Sequence, residues 1–207
     1  MQVLFQKGYF PYLTAPFADV TLARVDRASV EGFSMDKKVV LIVASNGYQQ
    51  EEYNETYKAL IKAGVNVTTA SDKPGVATAH DGSTVKVDLP LDTLAAAAFD
   101  GIFLIGGRGA MKGKCLDTPL VHRLLNEAYA LGKAYGAICV SPRILAEAQV
   151  LRGKRATAWD GDGLTQGVFD AGSVTFVHEP VVVDGNVVTA NGPQAAPAFG
   201  QAILTVL

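Results

Sequence analysis

From Lys38 onward, short apolar runs alternate with stretches of helical periodicity. Val39–Val43 is an unbroken apolar, largely β-branched run, the pattern of a strand buried on both faces. Glu51–Ala63 reads as a helix, with Tyr53, Tyr57, Leu60 and Ile61 at roughly helical spacing and Gly64 as its stop. Val65–Ala70 is the next predicted strand. Val76–Val87 carries strand-type residues around Asp81-Gly82, which marks a hairpin. Gly101–Ile105 is another buried strand and runs into Gly106-Gly107-Arg108-Gly109. Thr118 and Pro119 supply an N-cap and a first-turn proline for a helix reaching about Leu131. Ala134–Ile138 reads as a strand that leads directly into Cys139, and Pro142–Ala148 as a short helix. Three further strands are predicted at Val174–Val177, Val181–Val183 and Val187–Thr189, the last two joined by Asp184-Gly185-Asn186. A closing helix covers Ala195–Val206 despite Pro197 in its first turn.

Strand–helix alternation of this kind predicts an α/β fold, a doubly wound and mainly parallel sheet with helices on both faces. Sites in such sheets lie beyond the carboxyl ends of the strands. Three of those ends carry reactive or permissive residues: Asn46–Glu52 after the first strand, Gly106–Gly109 after the third, and Cys139 after the fourth. The first 34 residues break the pattern. Phe10-Pro11-Tyr12 and Ala15-Pro16-Phe17 show no regular period, and no basic start leads into an apolar core, so a secretory signal is not read there. Residues 1–34 are read as an appendage, a tag or an upstream extension, with a real extra strand as the alternative. Residues 35–207 are read as the domain.

Composition narrows the partners. Of 207 residues, 49% are hydrophobic, enough for a sizeable core in one domain. The formal net charge is -2 with no Lys/Arg block, which points away from nucleic acid and anionic membranes. No apolar run is long enough to cross a bilayer. The two cysteines, Cys115 and Cys139, fall in different predicted elements with no CxxC or Cys/His cluster. Neither a disulfide framework nor a structural metal site is expected, and the reading is a reducing, cytoplasmic compartment.

Cys139 stands out by position. A nucleophile between a buried strand and a helix start sits on a sharp turn, exposed above the sheet. Helix-terminal N–H groups favour the thiolate, which is the reactive form, and the N–H of Val140 would face a developing oxyanion. The competing reading is a small, inert core residue.

Ala-Ile-Cys-Val-Ser-Pro-Arg-Ile-Leu-Ala-Glu-Ala at 137–148 resembles the nucleophile segment of the DJ-1/PfpI superfamily. Lys154–Thr157, Glu179–Asn186 and Thr189–Pro193 resemble PfpI-like members in the same order, so the resemblance covers about Lys37 to Leu207. It implies a flavodoxin-like fold related to class I glutamine amidotransferase domains, no cofactor, and a homodimer or higher homo-oligomer. It also implies a glutamate, from the segment after the first strand, hydrogen-bonded to the cysteine. Counting back without gaps from Gly64 puts that residue at Glu52, where like charge and burial would raise its pKa. Gly107 would be the second oxyanion donor beside Val140.

The sequence departs from the family pattern in ways that matter. Proteolytic members carry His directly after the cysteine, where Val140 stands here. Other members offer His or Tyr about twenty residues further on, where this chain has Trp159, read as a pocket wall or as core. An acid of some PfpI-like members is replaced by Gln49. Arg108 is read as a pocket residue that binds an anionic substrate or faces solvent. His80, His122 and His178 have no motif that would bring them to Cys139, and Cys115 is read as an incidental thiol.

The leading expectation is therefore a cysteine-dependent, stress-related enzyme acting on small reactive carbonyls or their adducts, in a glyoxalase- or deglycase-like reaction. Cys139 attacks a carbonyl, Val140 and Gly107 hold the oxyanion, and Glu52 shuttles the proton. A PfpI-like cysteine peptidase or amidase with a peptide substrate is the alternative among enzymes. The alternative outside them is a non-catalytic redox sensor or chaperone, with Cys139 oxidised to a sulfinic acid beside Glu52.

Overall fold

The computed structural model describes residues 36–207; the reading of residues 1–34 lies outside them. The chain runs β1 (Lys38–Val43), β2 (Asn46–Tyr48), α1 (Gln50–Lys62), β3 (Asn66–Ser71), β4 (Gly75–Ala79), β5 (Thr84–Val87) and β6 (Leu89–Pro90). It continues through β7 (Gly101–Leu104), α2 (Pro119–Ala130), β8 (Ala134–Ile138), α3 (Pro142–Glu147), β9 (Arg155–Ala156) and α4 (Thr165–Ala171). β10 (Thr175–Phe176), β11 (Val181–Asp184), β12 (Val187–Ala190) and α5 (Ala196–Leu204) complete it.

Seven strands form the central sheet in the order β11-β12-β8-β7-β1-β3-β6. All neighbours pair in parallel except β11, which returns antiparallel to β12 across the Asp184–Val187 turn. Every residue of β7, β8 and β12 is buried, as are the last five of β1, which is why these strands read as continuous apolar runs rather than alternating ones. Helices cover both faces. Phe103 stands beside Gly136 in the β7–β8 register and meets Phe199 of α5 edge to face. Its neighbour in the chain direction, Ile102, stands beside Tyr135, whose ring meets Tyr129 of α2 on the opposite face. Buried Tyr135 satisfies its hydroxyl by donating to the Val150 carbonyl at 2.6 Å. The predicted doubly wound α/β architecture is the one observed.

The differences lie in short elements. Asn46–Tyr48, expected as loop, forms β2 and pairs in parallel with β4, which makes a separate three-stranded sheet with β5. β9 and β10 form a second small ladder, so only Thr175–Phe176 of the expected Val174–Val177 strand is paired. α4 was not expected: its polar sequence with a central Gly167 carries little helical signal, and it is held by its neighbours. The closing helix is preceded by a 3₁₀ turn at Pro193–Ala195, which absorbs the proline-rich start. Among the described residues, no helix is long and apolar enough to cross a membrane.

Candidate active site

β1, β7 and β8 are adjacent in the sheet, so the three segments that follow them meet at one carboxyl edge. Cys139 follows β8 with φ 65, a left-handed conformation that is strained for a residue with a Cβ. The surroundings enforce it. The Cys139 amide donates to the Ala190 carbonyl at 2.9 Å, continuing the β8–β12 ladder, and its carbonyl accepts from the Trp159 amide at 2.8 Å. Two residues on, buried Ser141 donates its hydroxyl to the Ile105 carbonyl at 2.9 Å, tying the start of α3 to the end of β7. The chain therefore turns sharply at Cys139 and presents its side chain above the sheet. α3 begins only at Pro142 and is six residues long. The amides that reach the sulfur are those of Val140 and Gly107.

The glycine turn is built for close approach. A Cβ on Gly106 would lie 2.5 Å from the Cys139 Cβ and 2.7 Å from Glu52 Oε2. Gly107 has φ 114, and a Cβ there would lie 2.7 Å from the Gln49 amide nitrogen. The Gln49 amide donates to the Gly106 carbonyl at 3.0 Å, and Tyr48 bridges to Gly107, so the turn is fixed against the segment that carries Glu52.

Glu51 and Glu52 both fall in the first turn of α1, but Glu51 is exposed whereas Glu52 is fully buried. Glu52 Oε2 accepts from the Gly106 amide at 2.9 Å, and its other oxygen has no protein partner. Burial raises its pKa from 4.5 to about 7, although hydrogen bonds from Cys139 and the Gly106 amide act in the opposite direction. The Cys139 thiol is pushed up by burial and by the charge of Glu52, and pulled down by the Val140 and Gly107 amides. The two groups thus share a proton: the pair gives up its first proton near neutrality and resists losing the second. The lowering of the thiol pKa expected from the elbow is not what the structure shows: burial raises it whatever the state of Glu52, and ionised Glu52 raises it further.

A stability effect follows. An acid whose folded pKa is raised destabilises the fold once it must ionise, so the penalty is absent below about 4.5 and complete above about 7. Glu52→Gln removes that penalty. The variant should match the wild type near pH 4 and exceed its stability by about 3 kcal/mol at pH 8, measured by urea denaturation at the two pH values.

A cavity of about 360 Å³ opens over the sulfur. Cys139, Val140, Gly107, Arg108 and Trp159 all line it, and Glu52 lies behind the thiol rather than in the cavity. The wall also contains Gln49, Met111 and His80. Arg108 is exposed and, among the described residues, makes no ion pair. His80 was not expected here. Its place depends on β2, the strand that the sequence pattern did not show: the His80 amide donates to the Tyr48 carbonyl at 2.8 Å, which brings the hairpin turn alongside the glycine turn. His122 instead faces Asp117 at 3.2 Å, and His178 lies beside Phe176 in a separate cavity beyond Trp159.

Arg143 is the other residue without a sequence-derived role. Its guanidinium makes two bonds to Asp162, at 2.9 and 2.6 Å, and donates to Thr165 Oγ1 and the Trp159 carbonyl at 2.9 Å each. It also lies 5.8 Å from the Trp159 ring centroid. Arg143 thereby fixes the wall opposite the hairpin. Arg143→Ala should raise KM about tenfold, equal to about 1.4 kcal/mol, with kcat little changed in a steady-state assay of whichever carbonyl the wild type consumes.

Cys115 is a free thiol outside this cavity, with Ser45 Oγ 4.0 Å from its sulfur. Asp117, His122 and Glu147 place ligand-type atoms within 4.8 Å of one another. Protein partners already engage them: Lys112 Nζ meets Glu147 at 3.1 Å, and Asp117 accepts from the Gly113 amide at 2.9 Å.

The fold and this site define an α/β protein with a cysteine at a strand-to-helix elbow backed by a buried carboxyl. The model of the DJ-1/PfpI family matches residues 37–206, and the chain belongs to that family. It is 34% identical over 154 residues to a protein from Pyrococcus abyssi named a deglycase, covering 74% of this chain and 90% of that one. The deglycase PfpI of Pyrococcus furiosus is 32% identical over the same length and with the same coverage. Among solved structures, a ThiJ/PfpI domain protein from Brachyspira murdochii superposes with a TM-score of 0.76 at 27% identity, over 82% of this chain and 95% of that one.

Proposed function

We propose that the protein is a cysteine-dependent enzyme acting on small reactive carbonyls or their adducts, in a deglycase- or glyoxalase-like reaction. One observation carries this reading: Cys139, held at φ 65, has its sulfur between two backbone amides and a buried carboxyl that titrates near neutrality. The deglycase names of two relatives support the reaction class.

In the reaction, Sγ bonds to the carbonyl carbon and the π pair moves to oxygen, giving a hemithioacetal. The Val140 and Gly107 amides hold the oxyanion, where fixed donors in a site of low polarity are most effective. Glu52 takes the thiol proton as the bond forms and returns it to sulfur when product leaves. Arg108 holds an anionic part of the substrate against the mouth of the cavity, and Trp159 forms its apolar wall. The test is consumption of methylglyoxal with formation of lactate. Turnover is expected, and none with methylglyoxal or with a glycated amino acid would overturn the reading.

A redox role is favoured by one further observation, the unpartnered second oxygen of Glu52, whose carboxyl is hydrogen-bonded by the thiol. A protonated Glu52 could donate to a sulfinate at Cys139. Mass spectrometry after mild peroxide reads it as a gain of two oxygens on Cys139, and oxidation of Cys115 in preference to Cys139 counts against it. The peptidase reading has no comparable support, since Val140 stands where proteolytic members carry the His that directly follows the cysteine.

A further inference from the structure

The carbonyl reaction leaves two proton transfers without an assigned group, the shift of the C–H proton between carbons and the deprotonation of water; the cavity wall bears on the second. Once the hemithioacetal proton on the former carbonyl carbon has moved to the neighbouring carbon, the product is an acyl thioester on Sγ. Its release requires water. A base must take a proton from that water as its oxygen bonds to the acyl carbon, and the C–S pair must return to sulfur. Glu52 cannot be that base: it is fully buried on the far side of the thiol and does not line the cavity that water would enter.

His80 does line it. The side chain belongs to an exposed residue at the turn between β4 and β5, in the same cavity wall as Cys139, Gly107 and Arg108. Its backbone is held in place. Its amide bonds to the Tyr48 carbonyl, the Ala79 amide bonds to the Ser83 carbonyl at 2.8 Å, and Tyr48 bridges to Gly107. The ladder that positions the Gly107 amide therefore also positions the His80 backbone at the cavity wall. Neither of the other two histidines lines this cavity. The neighbouring charges are Asp81 on the same turn, Arg108 across the cavity mouth, and Lys114 with Cys115 in the adjoining cleft that His80 also lines.

The geometry points to His80 as the general base that hydrolyses the acyl-Cys139 thioester, on the solvent side of the sulfur, with Glu52 serving the buried side. Imidazole takes one proton from water, the hydroxyl oxygen bonds to the acyl carbon, the thioester C–S bond breaks, and the pair returns to Sγ as thiolate or, with the Glu52 proton, as thiol. The imidazolium then releases its proton to solvent. This inference rests on Cys139 being the nucleophile, but not on which acyl donor is physiological.

The test uses p-nitrophenyl acetate with the full chain in a Cys115→Ser background. Acylation of Cys139 appears as a burst of p-nitrophenolate, and deacylation as the steady rate that follows. His80→Asn should keep the burst and lose about 10²-fold in the steady rate, with acetylated Cys139 accumulating in the mass spectrum. The His80 side chain is exposed and its fixing bond is made by the backbone, so the variant keeps the fold. Circular dichroism and an unchanged burst check that directly. A His80→Asn steady rate within twofold of the wild type overturns the His80 assignment and leaves the nucleophile intact. In the parent, p-nitrophenolate release no faster than that of Cys139→Ala, with Cys139 unmodified, overturns the nucleophile reading and this inference with it.

Discussion

Replacing Cys139 by Ser should reduce carbonyl consumption by about 10³-fold or more while leaving the fold in place. The change is one atom, and the residue is only partly buried, so little packing is lost. What is lost is the nucleophile itself. A serine hydroxyl stays protonated beside a carboxyl of pKa about 7, which is too weak a base to ionise it. The Val140 and Gly107 amides remain and can still polarise a bound carbonyl, so a residual rate above background is expected. Steady-state kinetics with methylglyoxal, alongside a urea unfolding curve, read the two quantities separately. Full activity in Cys139→Ser would mean that the chemistry resides elsewhere.

The second large effect is expected at Gly106, a residue with no reactive group. A methyl at this position would sit 2.5 Å from the Cys139 Cβ, 2.7 Å from Glu52 Oε2 and 2.8 Å from the Ile138 carbonyl oxygen. None of the three can yield cheaply: one is on a strained elbow, one is fully buried, and one is strand backbone. Gly106→Ala must therefore push Glu52 and Cys139 apart. Overpacking of this kind costs about 1–3 kcal/mol of stability. A displacement on the order of 1 Å within the reacting set costs about 10²-fold in rate. The variant should thus fold less stably and lose most of its kcat, with the amide bond to Glu52 weakened. A Gly106→Ala protein with wild-type kcat would show that contact between Glu52 and Cys139 is not needed.

How far the sequence could be read follows from what each element is made of. β1, β7 and β8 are buried on both faces, so their apolar runs were visible without a partner. The Cys139 elbow was legible because a buried strand ends there and Pro142 forces a new start. Glu52 could be separated from Glu51 only through the family resemblance; the first turn of a helix favours either acid. β2, β9 and β10 are two or three residues long, too short for any period to show, and they exist because neighbours pair with them. That blind spot hid His80, whose approach to the cavity runs through the β2–β4 pairing. Its one available signal was the Asp81-Gly82 turn, which places His80 at a hairpin tip but says nothing of what the tip faces. Arg143 stood inside the recognised nucleophile segment, yet its grip on Trp159 and Asp162 spans 16 and 19 residues and has no local signature.

The central claim, that Cys139 and Glu52 share one proton and that Glu52 therefore controls the reactivity of the thiol near neutral pH, is tested most directly by alkylation. Iodoacetamide labelling of Cys139 is followed against pH by peptide mass spectrometry, with Cys115 as the internal reference, in the wild type and in Glu52→Gln. The predicted wild-type profile at Cys139 has an inflection near 7, the value of the buried carboxyl, and Glu52→Gln loses it while Cys115 is unchanged. A Cys139 that labels slowly, with one profile in both proteins, would contradict the shared proton and leave Cys139 a structural thiol.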